Sequence, residues 1–401
     1  MKAVRFEQIG GPEVLHYVEV EQPAPAAGEV LVRVAASAYN AADGGMRGGF
    51  LPIPVALPHV PGYDVSGTVE ALGDDVESLA VGDEVVGFLP MERDGGAAEF
   101  VVAPADALVA APTSIPLTDA AALPSVALTA WQALVDDGGL QAGQHLLVVG
   151  AGGVVGKYAI QLAKRLGAHV IATASPRSAV DVLAAGADQV VDHTAVDVLG
   201  SLDGQVDVLL NLAPLAPVQF EADVAAVRDG GVVVSTTAFI ATPGDESRGV
   251  RAATVFVRPD RDRLEKLVAL VDAGELTVEV TRRISLAELP ALHAEAEAGR
   301  IAGKVVVLPW QPRRRELLWI TGPHRPGDPS LAGHESEKRS AAVSSRDGLE
   351  PASPRSGRHR GRIARKAGCG RRRRARRTTH SGSARAGPKR RRIRRRRPGD
   401  P

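Results

Sequence analysis

Between Gln144 and Arg177 the chain runs through two apolar rhythms. Leu146 to Val149 is a short continuous apolar run, the pattern of a strand covered on both faces. A glycine turn follows at once, Gly150-Ala151-Gly152-Gly153-Val154-Val155-Gly156. Beyond it Val155, Ala159, Leu162, Ala163 and Leu166 recur at helical spacing, and Gly167 suits the position just past a helix end. A second apolar run, His169 to Ala174, completes strand, glycine turn, helix and strand. That unit is half of a dinucleotide-binding sheet.

The same alternation continues downstream. It predicts a helix over Ala179–Ala185, a strand over Gln189–Asp192, a strand over Val206–Leu212, a helix over Glu221–Arg228 and a strand over Gly231–Thr236. Strands alternating with helices imply a right-handed, doubly wound parallel sheet. Upstream the rhythm is different. Glu29–Ala35 alternates apolar and polar residues, and Val65–Leu72, Asp83–Phe88 and Ala98–Ala103 also read as extended. Turns at Gly73-Asp74-Asp75 and Val81-Gly82-Asp83 separate them, so this region reads as a β-barrel. Residues 118–135 turn helical, with Thr118 as N-cap and a break at Pro124. The stretch 255–310 predicts a helix over Arg261–Ala273, a strand over Thr277–Thr281, a helix over Leu286–Ala298 and a strand over Lys304–Leu308, the last rejoining the first domain. The fold class is α/β, with three segments: residues 1–117 completed by 255–310, residues 118–254, and residues 311–401.

Charge sets the third segment apart. The net charge of +1 hides a division: residues 1–310 hold 20 Lys and Arg against 40 Asp and Glu, and residues 311–401 hold 28 against 7. Arginine runs such as Arg371–Arg374, with no apolar periodicity, predict a disordered basic tail. Three readings of it stay open: nucleic-acid binding through phosphates, attachment to the acidic body, or an out-of-frame extension. The single cysteine, Cys369, lies in that tail, so the body has no disulfide and no thiolate metal site. The first residues lack an apolar signal core, and no run is long and apolar enough to span a bilayer. The expectation is a cytoplasmic protein without membrane segments.

The glycine spacing has a chemical reason. Gly150 permits a sharp turn, Gly152 and Gly153 leave backbone N–H groups open to a pyrophosphate, and Gly156 lets the helix pack on its strand. The helix start, with Val154 and Val155, then faces the anion with its positive dipole end, worth roughly 0.3–1 kcal/mol per charge at an exposed site. After the second strand come Ala174, Ser175, Pro176 and Arg177, with no acid before Asp181. A hydroxyl and a guanidinium suit a 2′-phosphate, so NADPH is the expected cofactor; the plain alternative is a solvated arginine. Asn211 and Leu212, and Ser235 on the next strand, sit at strand ends where ligands meet such sheets. His193 either packs near the adenosine phosphate or is a surface histidine.

Several ordered motifs carry a resemblance. They are Gly11-Pro12-Glu13-Val14-Leu15, Pro61-Gly62-Tyr63-Asp64-Val65-Ser66-Gly67, Ala98-Glu99-Phe100, Leu128 to Leu134, the glycine turn with Gln161-Leu162-Ala163-Lys164, Gly186-Ala187-Asp188, and Gly303-Lys304-Val305-Val306. From Met1 to about Pro309 the chain resembles the medium-chain dehydrogenase/reductase superfamily, and within it the zinc-free quinone oxidoreductases. The resemblance implies a GroES-like β-barrel catalytic domain beside a Rossmann doubly wound parallel sheet. It implies a homodimer that transfers hydride from NADPH to a quinone or an α,β-unsaturated carbonyl. Asn40, Tyr63 and Val126 match the positions of the catalytic zinc ligands, and valine has no donor at all, so no metal is expected.

The resemblance also assigns residues. Asn40 and Asp43 match an N-x-x-D element beside the nicotinamide. Asn40 either donates to substrate or cofactor or forms an Asx turn, and Asp43 holds the loop. Tyr63 either gives a proton or walls the pocket. Thr129 matches a cofactor-contacting threonine. Val154 replaces a usual glycine, while Gly45 and Ala97 replace usual aromatic rings, which questions the quinone more than the reductase. Two other functions remain in view: an enoyl-thioester reductase, and a nucleic-acid-binding protein with a vestigial reductase body.

Overall fold

A computed structural model of the chain describes residues 1–237 and 239–310; the expected disordered tail, with its basic runs, falls on 311–401, outside the described residues. Strands β1 (Lys2–Phe6) and β2 (Leu15–Glu19) form an antiparallel pair. Strand β3 (Glu29–Ala38) is the spine of the first large sheet. Its Val30, Val32 and Val34 point one way, as period two requires, into a core with Val65, Val69, Val85 and Val101. Helix α1 (Ala41–Arg47) follows, then β4 (Asp64–Leu72), β5 (Glu84–Phe88), β6 (Phe100–Pro104) and β7 (Leu108–Ala110). The pairings of β3 with β4 and β6, of β4 with β5, and of β5 with β7 are all antiparallel.

The helical stretch begins earlier than its pattern suggests. Pro116, not Thr118, takes the N-cap of α2 (Leu117–Ala120), because proline's fixed φ suits the extended residue before a helix. The chain breaks before Pro124, which opens α3 (Pro124–Trp131), and a π-helix continues to Asp137. Next come β8 (His145–Val149), α4 (Val154–Arg165), β9 (His169–Ala174), α5 (Ala179–Ala184), β10 (Gln189–Asp192) and β11 (Val206–Asn211). Helix α6 (Pro217–Asp223) is shifted from the expected 221–228: Pro217 starts it, and β12 (Val227–Ser235) claims Val227 and Arg228. A short edge strand, β13 (Arg251–Thr254), was not expected.

The second sheet is parallel throughout, in the order β10-β9-β8-β11-β12-β13. Leu146, Val148, Val170, Val208 and Val232 pack on one face; Leu147, Val149, Ile171, Leu209 and Val233 pack on the other. Burial on both faces explains the continuous apolar runs, at roughly 1.5–3 kcal/mol per large side chain. The order reverses between β8 and β11, the crevice where ligands enter such sheets.

Helix α7 (Arg261–Asp272) leads back to the first sheet. The expected strand at Thr277–Thr281 is an unpaired connector, and pairing starts only at β14 (Arg282–Ser285). After α8 (Leu289–Glu297), β15 (Val305–Leu308) runs parallel to β14 and antiparallel to the end of β3, matching Val306 with Ala38. The last strand is thereby stitched into the first sheet. No helix among the described residues is long and apolar enough to cross a membrane.

Candidate functional site

The turn after β8 is built for close approach. Gly150 lies in the left-handed region at φ +80°, where only glycine is comfortable, and its N–H donates to Thr173 Oγ1 at 3.0 Å. A Cβ on Gly156 would strike the Ala151 carbonyl, and one on Gly152 would strike the Ser178 hydroxyl. Gly153 is different: a Cβ there would meet nothing nearer than the Gly150 carbonyl oxygen at 3.8 Å. It is the N-cap of α4, and no side chain among the described residues caps the helix. Free N–H groups and the dipole of a twelve-residue helix therefore face outward, as an anion site requires.

They face a cleft of about 710 Å³. Gly150, Gly152, Gly153 and Val154 line it at the turn, and Ser175, Arg177, Ser178 and His193 line it beyond the end of β9. Arg177 forms no ion pair among the described residues. Val154 is half-buried; it borders the cleft and also packs on the core, as does Val155, which lies outside the lining. A further wall comes from Thr277, Glu279, Thr281 and the turn Ile301–Lys304.

Thr129, Asn211, Leu212 and Ser235 are not in that lining. Thr129 donates its hydroxyl to the Ser125 carbonyl within α3. Asn211 is buried at the end of β11, where its Oδ1 accepts from the Ala213 N–H and its Nδ2 donates to Ser235 Oγ at 3.4 Å.

Lys304 joins the cleft to a buried network. Its Nζ donates to Asn40 Oδ1 at 2.5 Å and to Asp64 Oδ2 at 3.0 Å, with Lys304 2% and Asp64 0% exposed. Asn40 Nδ2 donates to Asp64 Oδ2 at 2.9 Å. Ser125 adds its N–H to Asp64 Oδ1 and its hydroxyl to Oδ2, both at 2.7 Å. Asp64 thus braces the first turn of α3 while balancing the ammonium. Asp43 lies in α1, where its Oδ2 accepts the Asn40 N–H at 2.7 Å and its Oδ1 the Gly62 N–H at 2.9 Å. Burial pushes its carboxyl up to about 7 despite those two bonds.

Tyr63 is buried, and its hydroxyl lies 3.0 Å from His59 Nε2. Burial raises the phenol well above its usual range and lowers His59. Val126, the third position matched to zinc ligands, is buried in α3. No group of three or more His, Cys, Asp or Glu among the described residues is arranged to hold a metal ion. Gly45 leaves its side-chain space to Leu51, and Ala97 is buried with its N–H on the Pro61 carbonyl.

Sequence reasoning assigned no role to Lys304, Ser125 or Lys157. Lys304 stood inside a recognised motif, but its partners are 264 and 240 residues away, and spacing carries no trace of them.

Comparison with known proteins agrees with this architecture. Residues 26–113 match the alcohol dehydrogenase GroES-like domain, and residues 185–307 match the zinc-binding dehydrogenase family. The chain is 32% identical over 327 residues to a chloroplastic quinone-oxidoreductase of Triphysaria versicolor, covering 77% of this chain and 98% of the relative. It is 30% identical over 321 residues to a 2-methylene-furan-3-one reductase of Solanum lycopersicum, covering 77% and 79%. The solved quinone oxidoreductase of Coxiella burnetii superposes with a TM-score of 0.71 at 30% identity, covering 77% of this chain and 99% of that one.

Proposed function

From the premise that the chain belongs to the medium-chain dehydrogenase/reductase superfamily, as a quinone oxidoreductase-like member, we propose that it moves a hydride from NADPH to a quinone or an α,β-unsaturated carbonyl, without zinc. That it is an oxidoreductase using a nicotinamide cofactor follows from the family.

The observation that carries the finer reading is Arg177. A guanidinium without an ion pair among the described residues borders the cleft with Ser175, Ser178 and His193, and no acid ends β9. That chemistry favours a 2′-phosphate over a bare ribose hydroxyl. The open helix start and the roomy Gly153 fit the pyrophosphate.

A reduced nicotinamide, when bound, supplies the hydride. This chain's residues position and stabilise. Asn40, held by Lys304 and Asp64, is read as the positioning residue for the reacting end. Asp43 braces the backbone that carries it. Tyr63, buried outside the cleft's lining, is read as a wall of the reacting end or as the donor of the one proton that accompanies the hydride, with His59 as its hydrogen-bond partner. Thr129, Asn211, Leu212 and Ser235 are read as flanking the nicotinamide half. With Asn40, Tyr63 and Val126 at the zinc-equivalent positions, a conjugated acceptor is the substrate that needs no Lewis acid. The 2-methylene-furan-3-one reductase among the relatives supports a conjugated carbonyl beside quinones.

The test is a cofactor-oxidation screen of the full chain across quinones, enones and enals. The expected result is turnover with NADPH preferred over NADH, and a fall in that preference of about tenfold or more in Arg177→Ala. No turnover with any acceptor, or an unmoved preference in the variant, sinks the reading.

A further inference from the structure

Two carboxylates, Asp181 and Glu279, border the cleft, and a phosphate-bearing ligand would be repelled by both. A single side chain holds them. Lys157, in the first turns of α4, donates to Glu279 Oε2 at 2.5 Å and to Asp181 Oδ2 at 3.2 Å. Its side chain is 17% exposed, against 58% for Asp181 and 54% for Glu279, so the ammonium sits under both acids. The three partners come from three places: α4, α5 and the connector before β14. The other lining lysine, Lys304, is already matched by Asp64, which leaves Arg177 as the lining arginine or lysine without an ion pair among the described residues. Partial burial works against the Lys157 charge, but the hydrogen bonds it donates to Glu279 and Asp181 outweigh it and raise its pKa. The lysine stays charged across the neutral range.

We propose that Lys157 is a specificity-determining residue: by clamping Asp181 and Glu279 it offsets half the charge of the cleft's acidic wall and lets Arg177 select a 2′-phosphorylated nicotinamide nucleotide. This rests on the NADPH reading. Without the clamp, two free carboxylates oppose one guanidinium, and the wall turns against the extra phosphate. Asp181 then offers the acceptor that a ribose hydroxyl prefers.

The test is equilibrium binding, by calorimetry on the full chain, of NADPH, NADH, and the fragments 2′-phospho-ADP-ribose and ADP-ribose. Four proteins are compared: wild type, Lys157→Met, Lys157→Met/Asp181→Asn/Glu279→Gln, and Arg177→Ala. In Lys157→Met the preference for the phosphorylated ligands is expected to fall about tenfold, and less at 0.5 M salt than at 0.05 M. The triple variant, with its carboxylates neutralised, is expected to return to within about threefold of the wild-type preference. Equal weakening of all four ligands in Lys157→Met, or no recovery in the triple variant, overturns the clamp. A wild type that does not favour the phosphorylated ligands, or an Arg177→Ala variant that keeps the full preference, overturns the cofactor reading and the clamp with it.

Discussion

Around the glycine turn, polar groups face outward without partners: α4 has no side-chain cap, and Arg177 has no ion pair among the described residues. In the barrel network around Asn40 the opposite holds. Asn40 uses both ends of its amide, Asp64 accepts four hydrogen bonds, and both oxygens of Asp43 are taken by backbone N–H groups. The contrast separates two tasks. A surface that captures a diffusible anion must leave donors unsatisfied until it arrives. A surface that holds a reacting centre gains from groups fixed beforehand, because reorganisation during the reaction is costly.

The contrast is broken most severely at Lys304. Lys304→Met leaves Asp64 buried without its counter-charge, and denaturant unfolding is expected to show a loss of about 3–5 kcal/mol. Adding Asp64→Asn should recover part of that loss; no recovery would mean that the lysine acts mainly through packing. A smaller effect sharpens the other half. Gly156→Ala forces a Cβ against the Ala151 carbonyl and is expected to cost about 1–3 kcal/mol. Gly153→Ala has room and should cost less than about 1 kcal/mol, while weakening nucleotide binding. If the two alanines were equally destabilising, the assignment of one glycine to packing and the other to ligand approach would fail.

The smallest expected effect is a slope. The folded protein holds Asp43 at about 7, above its ordinary 3.8, so folding takes up a proton between those values. Stability therefore falls as pH rises from about 4 to 7 through this group. Asp43→Asn removes that slope and keeps only one of the two acceptors. The variant should be the less stable protein at pH 4, by about 1–2 kcal/mol, but at about 1.4 kcal/mol per pH unit the gap closes within about two units, and by pH 7 the variant is the more stable protein. Parallel stability curves would contradict the raised value.

These differences explain what the chain disclosed unaided. Parallel strands buried on both faces announce themselves as continuous runs, as Leu146–Val149 of β8 does, and the edge strand Gln189–Asp192 was legible to the residue from its place in the alternation. Strand β13, Arg-Ala-Ala-Thr at a sheet edge, carries no such run. Helix α1 holds Gly44 and Gly45, which suppress helix propensity, and is fixed instead by Asp43 and by packing. The expected strand at 277–281 has the right composition, but only its last residue meets a neighbour, the Thr281 N–H donating to the Lys304 carbonyl just before the β14–β15 ladder begins. In the site, the glycine turn was readable because its chemistry is local. The Lys304 network and the Lys157 clamp were not, because each is closed by groups brought together only by tertiary folding.

The stitching of β15 into the first sheet gives the chain a timetable. Asp64 leaves the ribosome 240 residues before Lys304, which at roughly 5–20 residues per second is about 12–48 s of waiting. Through that interval the nascent barrel carries an acidic residue at its centre with no ammonium to answer it. Any chain stopped short of Lys304 keeps that charge unanswered, so β15 brings the ammonium that completes the first sheet's interior.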